Sequence, residues 1–343
     1  MLKVGSLLKI AAVSTLLMAC GGGSGGDNVV NVYTHRHYEA DNALYKKFTE
    51  ETGIKVNVIN ANADELIQRL ESEGVNSPAD VLITVDGGRL NRAMDKDLLQ
   101  PINSAVLDEN IPAEFREPEG HWFGLTYRAR IIVHASDRIE AGAIQNYEDL
   151  ADPKWKGKVL VRTSEHVYNQ SLTASILLAQ GEEKTKEWAK GLVANFARTP
   201  KGNDRDQVKA IAAGEGDIAI VNSYYIGLML HSENTEERKA AEGITLVFPN
   251  QDNRGTHVNI SAAGVTKHAP NRENAIKFIE FLSGATAQEL FAGTNYEYPV
   301  NPQIPLSETL VSWGTFKKDK ASIAEIGRLN SKAVLIMEEA GWK

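Results

Sequence analysis

Cysteine is nearly missing from this chain, with one residue, Cys20, in 343. A single thiol closes no internal disulfide and builds no thiolate cluster, so a metal held further along the chain must rest on oxygen or nitrogen donors. Clustered positive charge is missing as well. The formal charge is −8 and no segment forms a basic stripe, which argues against nucleic acid as a partner. No G-x-G-x-x-G follows the first strand-like run, and no G-x-x-x-x-G-K-[ST] occurs anywhere, so the common phosphate loops are absent. The hydrolase signatures H-E-x-x-H and G-x-S-x-G are absent too, and the chain reads as no enzyme.

The composition is that of an ordinary globular protein, 42% hydrophobic and 24% charged, long enough for two domains or one large α/β domain. The N-terminus is a different material. Lys3 and Lys9 flank and enter an apolar stretch that ends in "LLMAC", residues 16–20. A basic start, a short apolar core and a small residue before a cut make a secretory signal, too short to span a membrane as a helix. The stretch resembles a bacterial lipoprotein signal, which implies removal of residues 1–19, lipidation of Cys20 and a membrane anchor. "GGGSGGD" follows, a flexible tether over residues 20–27. Loss of Lys3 and Lys9 takes the formal charge from −8 to −10.

Beyond the tether, β-branched runs alternate with helical patterns. "NVVNVYT" (28–34), "IKVNVIN" (54–60) and "ADVLITVD" (79–86) read as strands, separated by helices over 41–53 and 63–74. That alternation predicts βαβ units and a mostly parallel sheet. "HWFGLTYRARIIVHAS" (121–136) is unusually long for a strand of one sheet. Helix, glycine turn and strand follow over 205–223, two helices are expected over 167–196 and two over 271–293, and one closes the chain over 320–342. The pattern fits two α/β lobes that close on a ligand.

Within this frame, "HRHY" (35–38), "YRARIIV" (127–133), "VYNQSLTASI" (167–176) and "NSYYIG" (222–227) follow one another in an order that resembles the ferric-ion-binding proteins of bacterial ABC importers, in their cyanobacterial-type branch. The resemblance covers about residues 28–343. It implies a two-lobed periplasmic-binding-protein fold of class II type with a hinged interlobe cleft. The N-lobe would comprise 28–127 and 255–300, and the C-lobe 128–254 and 301–343. It implies that Tyr38, Tyr168, Tyr224 and Tyr225 bind one Fe(3+) as phenolates. His37 completes the sphere or hydrogen-bonds beside it, and Arg128 stands behind the phenolates. It implies a monomer in the periplasm that hands ferric ion to an ABC permease of the inner membrane. One departure stands out. An anion-dependent branch supplies a glutamate after the third strand, where this chain has "ITVDGG", with Asp86 near that point.

The chemistry can be argued from the residues as well. Ferric ion is hard and prefers anionic oxygen. Four phenolates around it leave one net negative charge, which a guanidinium would neutralise. In a strand Tyr224 and Tyr225 would face opposite ways, so they share an ion only past the strand's end, and "SYYIGLMLH" reads as the start of a helix. Tyr33 alternates within a strand and is expected to pack. His35 is expected at the periphery, Tyr296 and Tyr298 near a hinge, and only one of Arg128 and Arg130 in the cleft. Two other functions compete. The same fold could hold a small organic ion such as a polyamine, thiamine or a sulfonate, caged by aromatics. The other is a hydrolytic enzyme or zinc protein: "HRH" invites zinc, and "EHVYN" offers Glu165 and His166, but no nucleophile shares their neighbourhood.

Overall fold

A computed structural model describes residues 28–36 and 38–343. The signal, the tether, Cys20 and His37 lie outside the described residues.

The chain starts with β1 (Val29–Thr34), α1 (Glu39–Thr52), β2 (Lys55–Asn60), α2 (Ala63–Glu73), β3 (Val81–Thr84), α3 (Gly87–Asp95) and α4 (Ala105–Asn110). Local chemistry sets the boundaries. α1 buries Leu44 and Phe48 and stops at Gly53, whose left-handed backbone (φ 71°) lets its N–H reach the Thr49 carbonyl. α2 begins where the Asn62 side chain accepts the Glu65 N–H. All four residues of β3 are buried, as suits a strand covered on both faces.

Then comes β4 (Phe123–Ala135), followed by β5 (Val159–Leu160), α5 (Val167–Gln180), α6 (Glu182–Ala194), α7 (Asp204–Ala212), β6 (Ile218–Asn222), α8 (Ser223–Leu230), α9 (Thr235–Glu242) and β7 (Ile244–Val247). The chain returns through β8 (Val258–Val265), α10 (Arg272–Ser283), α11 (Ala285–Thr294) and β9 (Tyr298–Pro299). It ends with α12 (Glu308–Ser312), α13 (Ile323–Arg328) and α14 (Asn330–Glu339).

The strands are ordered β2-β1-β3-β8-β4-β6-β5, with β7 and β9 also on β4. The long strand explains itself here. Its 13 residues reach roughly 40 Å at strand rise. Phe123–Ala129 pairs with β8, and Arg130–His134 with β6. β4 therefore hands over from one sheet to the next at Ala129 and Arg130. One large core gathers β1, β3, β8 and their helices, from Val30 through Val300. The other sheet is packed on both faces. Ile132, Ile218 and Ile220 face Trp188 and Trp342, whereas Ile131, Val133, Ala219 and Val221 face Val208 and Met229.

Two expectations need correcting. The sheet is mixed: of the eight strand pairings among the described residues, five are antiparallel. The βαβ pattern foretold the parallel pairs, but β4 and β8 run back through the middle of the sheet after long excursions that local periodicity does not encode. The closing helix is two helices, α13 and α14, broken at Leu329.

Candidate metal centre

Three helix N-termini converge on one point. Tyr38 is the residue before α1, with an extended backbone (φ −85°, ψ 140°). Tyr168 lies in the first turn of α5, behind the cap residue His166, whose Nδ1 accepts the Tyr168 N–H at 3.3 Å. β6 ends at Asn222 and α8 starts at Ser223, so Tyr224 and Tyr225 both lie in a first helical turn, as their adjacency required. The hydroxyls meet. That of Tyr38 donates to Tyr224 at 3.2 Å, and those of Tyr168 and Tyr224 are 3.1 Å apart. The rings of Tyr224 and Tyr225 are centred 4.3 Å apart. Tyr38, Tyr168 and Tyr224 are buried, whereas Tyr225 is partly exposed on the wall of a cavity of about 480 Å³. Helix N-termini carry partial positive charge, so the backbone itself favours anions there.

Guanidinium groups surround the phenols. Arg36 lies 4.6 Å from the centre of the Tyr38 ring, and Arg128, Arg130 and Arg162 lie 5.6, 5.7 and 5.4 Å from that of Tyr168. Three of the four are committed to carboxylates. Arg36 donates to Asp41 at 2.9 Å and Glu297 at 3.1 Å. Arg130 donates to Asp204 at 2.7 Å, and Arg162 reaches the other Asp204 oxygen at 3.4 Å. Arg128 is the exception: it is 1% exposed, and none of its three guanidinium nitrogens has a hydrogen-bond partner. Four cations thus face three carboxylates.

The electrostatics follow from burial. It pushes the Tyr38 phenol well above its ordinary range, with Tyr168 and Glu297 adding to the shift and Arg128 and Arg36 opposing it. Burial likewise raises Tyr224, reinforced by Tyr168, Tyr225 and Tyr38, and it raises Tyr225. For Arg128, burial alone would weaken the protonated form, but Tyr168, Tyr38 and Glu297 outweigh it and strengthen proton binding. Burial therefore favours the protonated phenol at Tyr38, Tyr224 and Tyr225.

Tyr38, Tyr168, Tyr224 and Tyr225 come together with Arg128 beside them. Arg130 corrects an expectation. Positions two apart on a strand share a face, so both arginines turn to Tyr168. His35 is also closer than expected, since it lines the same cavity. Tyr33 packs in the large core with its hydroxyl on Glu73 at 2.9 Å. Tyr296 stacks on His231 with ring centres 4.9 Å apart, and Tyr298 pairs with β4. Asp86, near the departure point, is fully occupied elsewhere, by Arg89, Ser171 and Asn259. Sequence reasoning missed Arg36, Arg162, Asp204 and Glu297. A signal existed only for Arg36, one residue from the histidine of "HRHY" that precedes the tyrosine. Among the described residues no group of three or more His, Cys, Asp or Glu side chains could hold a metal ion, so the donors offered here are phenols.

Known proteins share this architecture. A family model of bacterial extracellular solute-binding proteins matches residues 76–318. Iron uptake protein A1 of Synechocystis sp. (strain ATCC 27184 / PCC 6803 / Kazusa) is 49% identical, across 100% of this chain and 97% of its own length. The structure of Trichodesmium (IdiA) (FutA) in complex with iron and citrate ligands superposes with a TM-score of 0.86 at 48% identity, covering 92% of this chain and 100% of that one. The ferric binding protein from Campylobacter jejuni gives 0.89 at 43% identity with the same coverage. These likenesses bear out both the family resemblance read from the tyrosine motifs and the two-lobed periplasmic-binding-protein fold. With the family model covering most of its length and a relative sharing almost half its residues, this chain belongs to the bacterial extracellular solute-binding proteins.

Proposed function

We propose that the protein captures ferric ion in the cleft with Tyr38, Tyr168, Tyr224 and Tyr225 as phenolates. The observation that carries this reading is the meeting of buried phenol hydroxyls at three helix N-termini beside an unpartnered guanidinium, Arg128. Fe³⁺ with four phenolates has a net charge of −1. The excess of one cation over the surrounding carboxylates balances it, with Arg128 the free group. His37, next to Tyr38, is the remaining candidate donor. Because the phenols must lose protons to bind, affinity falls as pH drops.

Closure is part of the proposal. The lobe division into 28–127 with 255–300 and 128–254 with 301–343 is supported by the transfer of β4 between sheets at Ala129 and Arg130. Tyr38 would then come from one lobe and the other three tyrosines from the second, so neither lobe holds the ion alone. The loaded protein, a monomer tethered through a lipid on Cys20 at the periplasmic face, would deliver iron to an ABC permease. The names of its relatives support the iron step.

The cavity beside Tyr225 also has room for a small organic ion. Arg162 and Arg205 on its wall disfavour a polyamine or thiamine and leave an anion such as a sulfonate as the second reading.

The deciding experiment is a visible absorption spectrum of the purified metal-free protein after one equivalent of ferric citrate. Phenolate-to-iron charge transfer should give a strong visible band that disappears on acidification. A colourless protein would remove the tyrosine site and turn attention to anion ligands.

A further inference from the structure

A separate cavity, lined by Asp86, Arg89 and Ser171 and by none of the four tyrosines, is built differently. Asp86 is 2% exposed and caps α3, accepting the Arg89 N–H at 3.0 Å. Its other oxygen leaves α3 entirely. It accepts the Ser171 hydroxyl at 2.5 Å and the Asn259 amide at 2.6 Å, and that amide also lies 3.0 Å from the Ser171 hydroxyl. Arg89 donates to Gln170 at 3.1 Å, and Asn330 of α14 donates to the same Gln170 oxygen at 3.2 Å. α3 packs through Leu90 and Ala93 into the large core, whereas α5 packs through Leu172 and Ile176 into the core of the other sheet. The bonds of Ser171 to Asp86 and Asn259 and of Arg89 to Gln170 therefore join two separately packed bodies, and Ser171 lies one turn from Tyr168 on the same helix.

A second contact reinforces the first. α3 and α13 touch at Gly88 and Gly327, where a Cβ on either glycine would come within 2.8 Å of the other's backbone. Only glycine on both sides allows that approach.

We propose that Asp86 is a positioning residue: with Ser171, Gln170 and the Gly88–Gly327 contact it forms a latch that holds the first turn of α5, and hence Tyr168, against the Tyr38 side of the cleft. The carboxylate that follows the third strand is thereby withdrawn from ion binding and spent on closure. Opening the cleft would cost Asp86 its Ser171 hydroxyl and Arg89 its Gln170 oxygen, two hydrogen bonds to charged groups, which favours the closed form whether or not an ion is present. An arriving ion then meets phenols already within hydrogen-bond distance of one another. The effect on iron rests on the function proposed above; the latch itself does not.

The test uses Ser171→Ala, Asp86→Asn and Gly327→Leu in the full protein. Small-angle X-ray scattering of the metal-free variants should show a larger radius of gyration than the wild type. Iron release to a competing chelator should accelerate at least about tenfold, the factor expected for losing a hydrogen bond to a buried charge. The absorption band at saturating iron should keep its position, because no phenol is altered. A merely structural role would lower the melting temperature and leave scattering and release rate at 25 °C unchanged. Ser171→Ala is the mildest of the three. If it folds with wild-type dimensions and wild-type release, the latch is wrong, even if Asp86→Asn fails to fold. Should the wild type bind no iron, the scattering of the metal-free forms still decides.

Discussion

The two faces of β4 carry two clusters of packed aromatics that differ in what their hydroxyls meet. On one side, next to Tyr127, a seam runs through Phe115, Tyr127, Tyr298, Phe316 and Phe248, with ring centres 4.2–5.4 Å apart. On the other, next to Arg128, stand the four cleft tyrosines. In the seam three of the four ring pairs stack nearly parallel, and the buried Tyr298 hydroxyl meets no partner. In the cleft the hydroxyls point at each other, and guanidinium groups fill the space around them. Burial of tyrosine is therefore no mark of a site. Convergent hydroxyls beside an unpaired cation are what set the cleft cluster apart.

The sharpest way to break this comparison is to remove one oxygen from each cluster. Tyr224→Phe should lower iron retention by more than the about 10–100-fold that loss of a supporting outer group costs, because it deletes a charged donor. Tyr225→Phe should act in the same direction, leaving the fold intact. Tyr298→Phe removes a hydroxyl that has no partner and should leave both iron retention and stability near wild type. Chelator competition and thermal melts on the same preparations would check this. Equal effects of Tyr224→Phe and Tyr298→Phe would show that the cleft cluster is only another seam.

The next comparison lies within the cleft, between two arginines of one strand face. Arg128→Met should cost about 10–100-fold in iron retention with little loss of stability, since no protein group depends on its hydrogen bonds. Arg130→Met should instead destabilise the fold by about 3–5 kcal/mol, because Asp204, fully buried, loses its closest cation. Urea unfolding of the metal-free variants separates the two. If Arg128→Met proves the more destabilising, its guanidinium belongs to the fold.

How much of this was legible beforehand differs by element. The double tyrosine announced itself, because two adjacent phenols can share an ion only at a strand's end, and β6 does end at Asn222. The long run around "YRARIIV" was legible as something odd, and it proved to be the strand that crosses between sheets. The direction of β8 was not legible, since strand polarity is fixed by long-range pairing rather than by local periodicity. Nor were Asp204 and Glu297, each separated by more than 40 residues from any arginine it neutralises. Arg130 was readable in principle. Its two-residue spacing from Arg128 already put both on one face.

The two faces of β4 should also fail at opposite ends of the pH scale, with the smallest effects expected here. On the cleft side His257 lines a small cavity with Arg128 and Tyr168. Burial, with Arg130, Arg128 and Arg254 against the opposing pull of Asp86, lowers its pKa to about 3. A base with a depressed pKa lends its full stability above its unfolded value near 6.5 and loses it as pH falls toward 3. At pH 5 that amounts to about 2 kcal/mol, and His257→Gln should flatten this acid limb. On the seam side burial, helped by Glu114, raises Tyr127 to about 12. An acid with a raised pKa is stabilising below its unfolded value near 10 and loses that contribution as pH rises toward 12. At pH 11 the loss is about 1 kcal/mol, and Tyr127→Phe should remove it. Thermal melts of the metal-free protein at pH 5, 7.5 and 11 would show each variant correcting one limb only. A variant that moved both limbs would mean that the two faces of the strand unfold as one body, and that the charge environment of the cleft is not separable from the seam behind it.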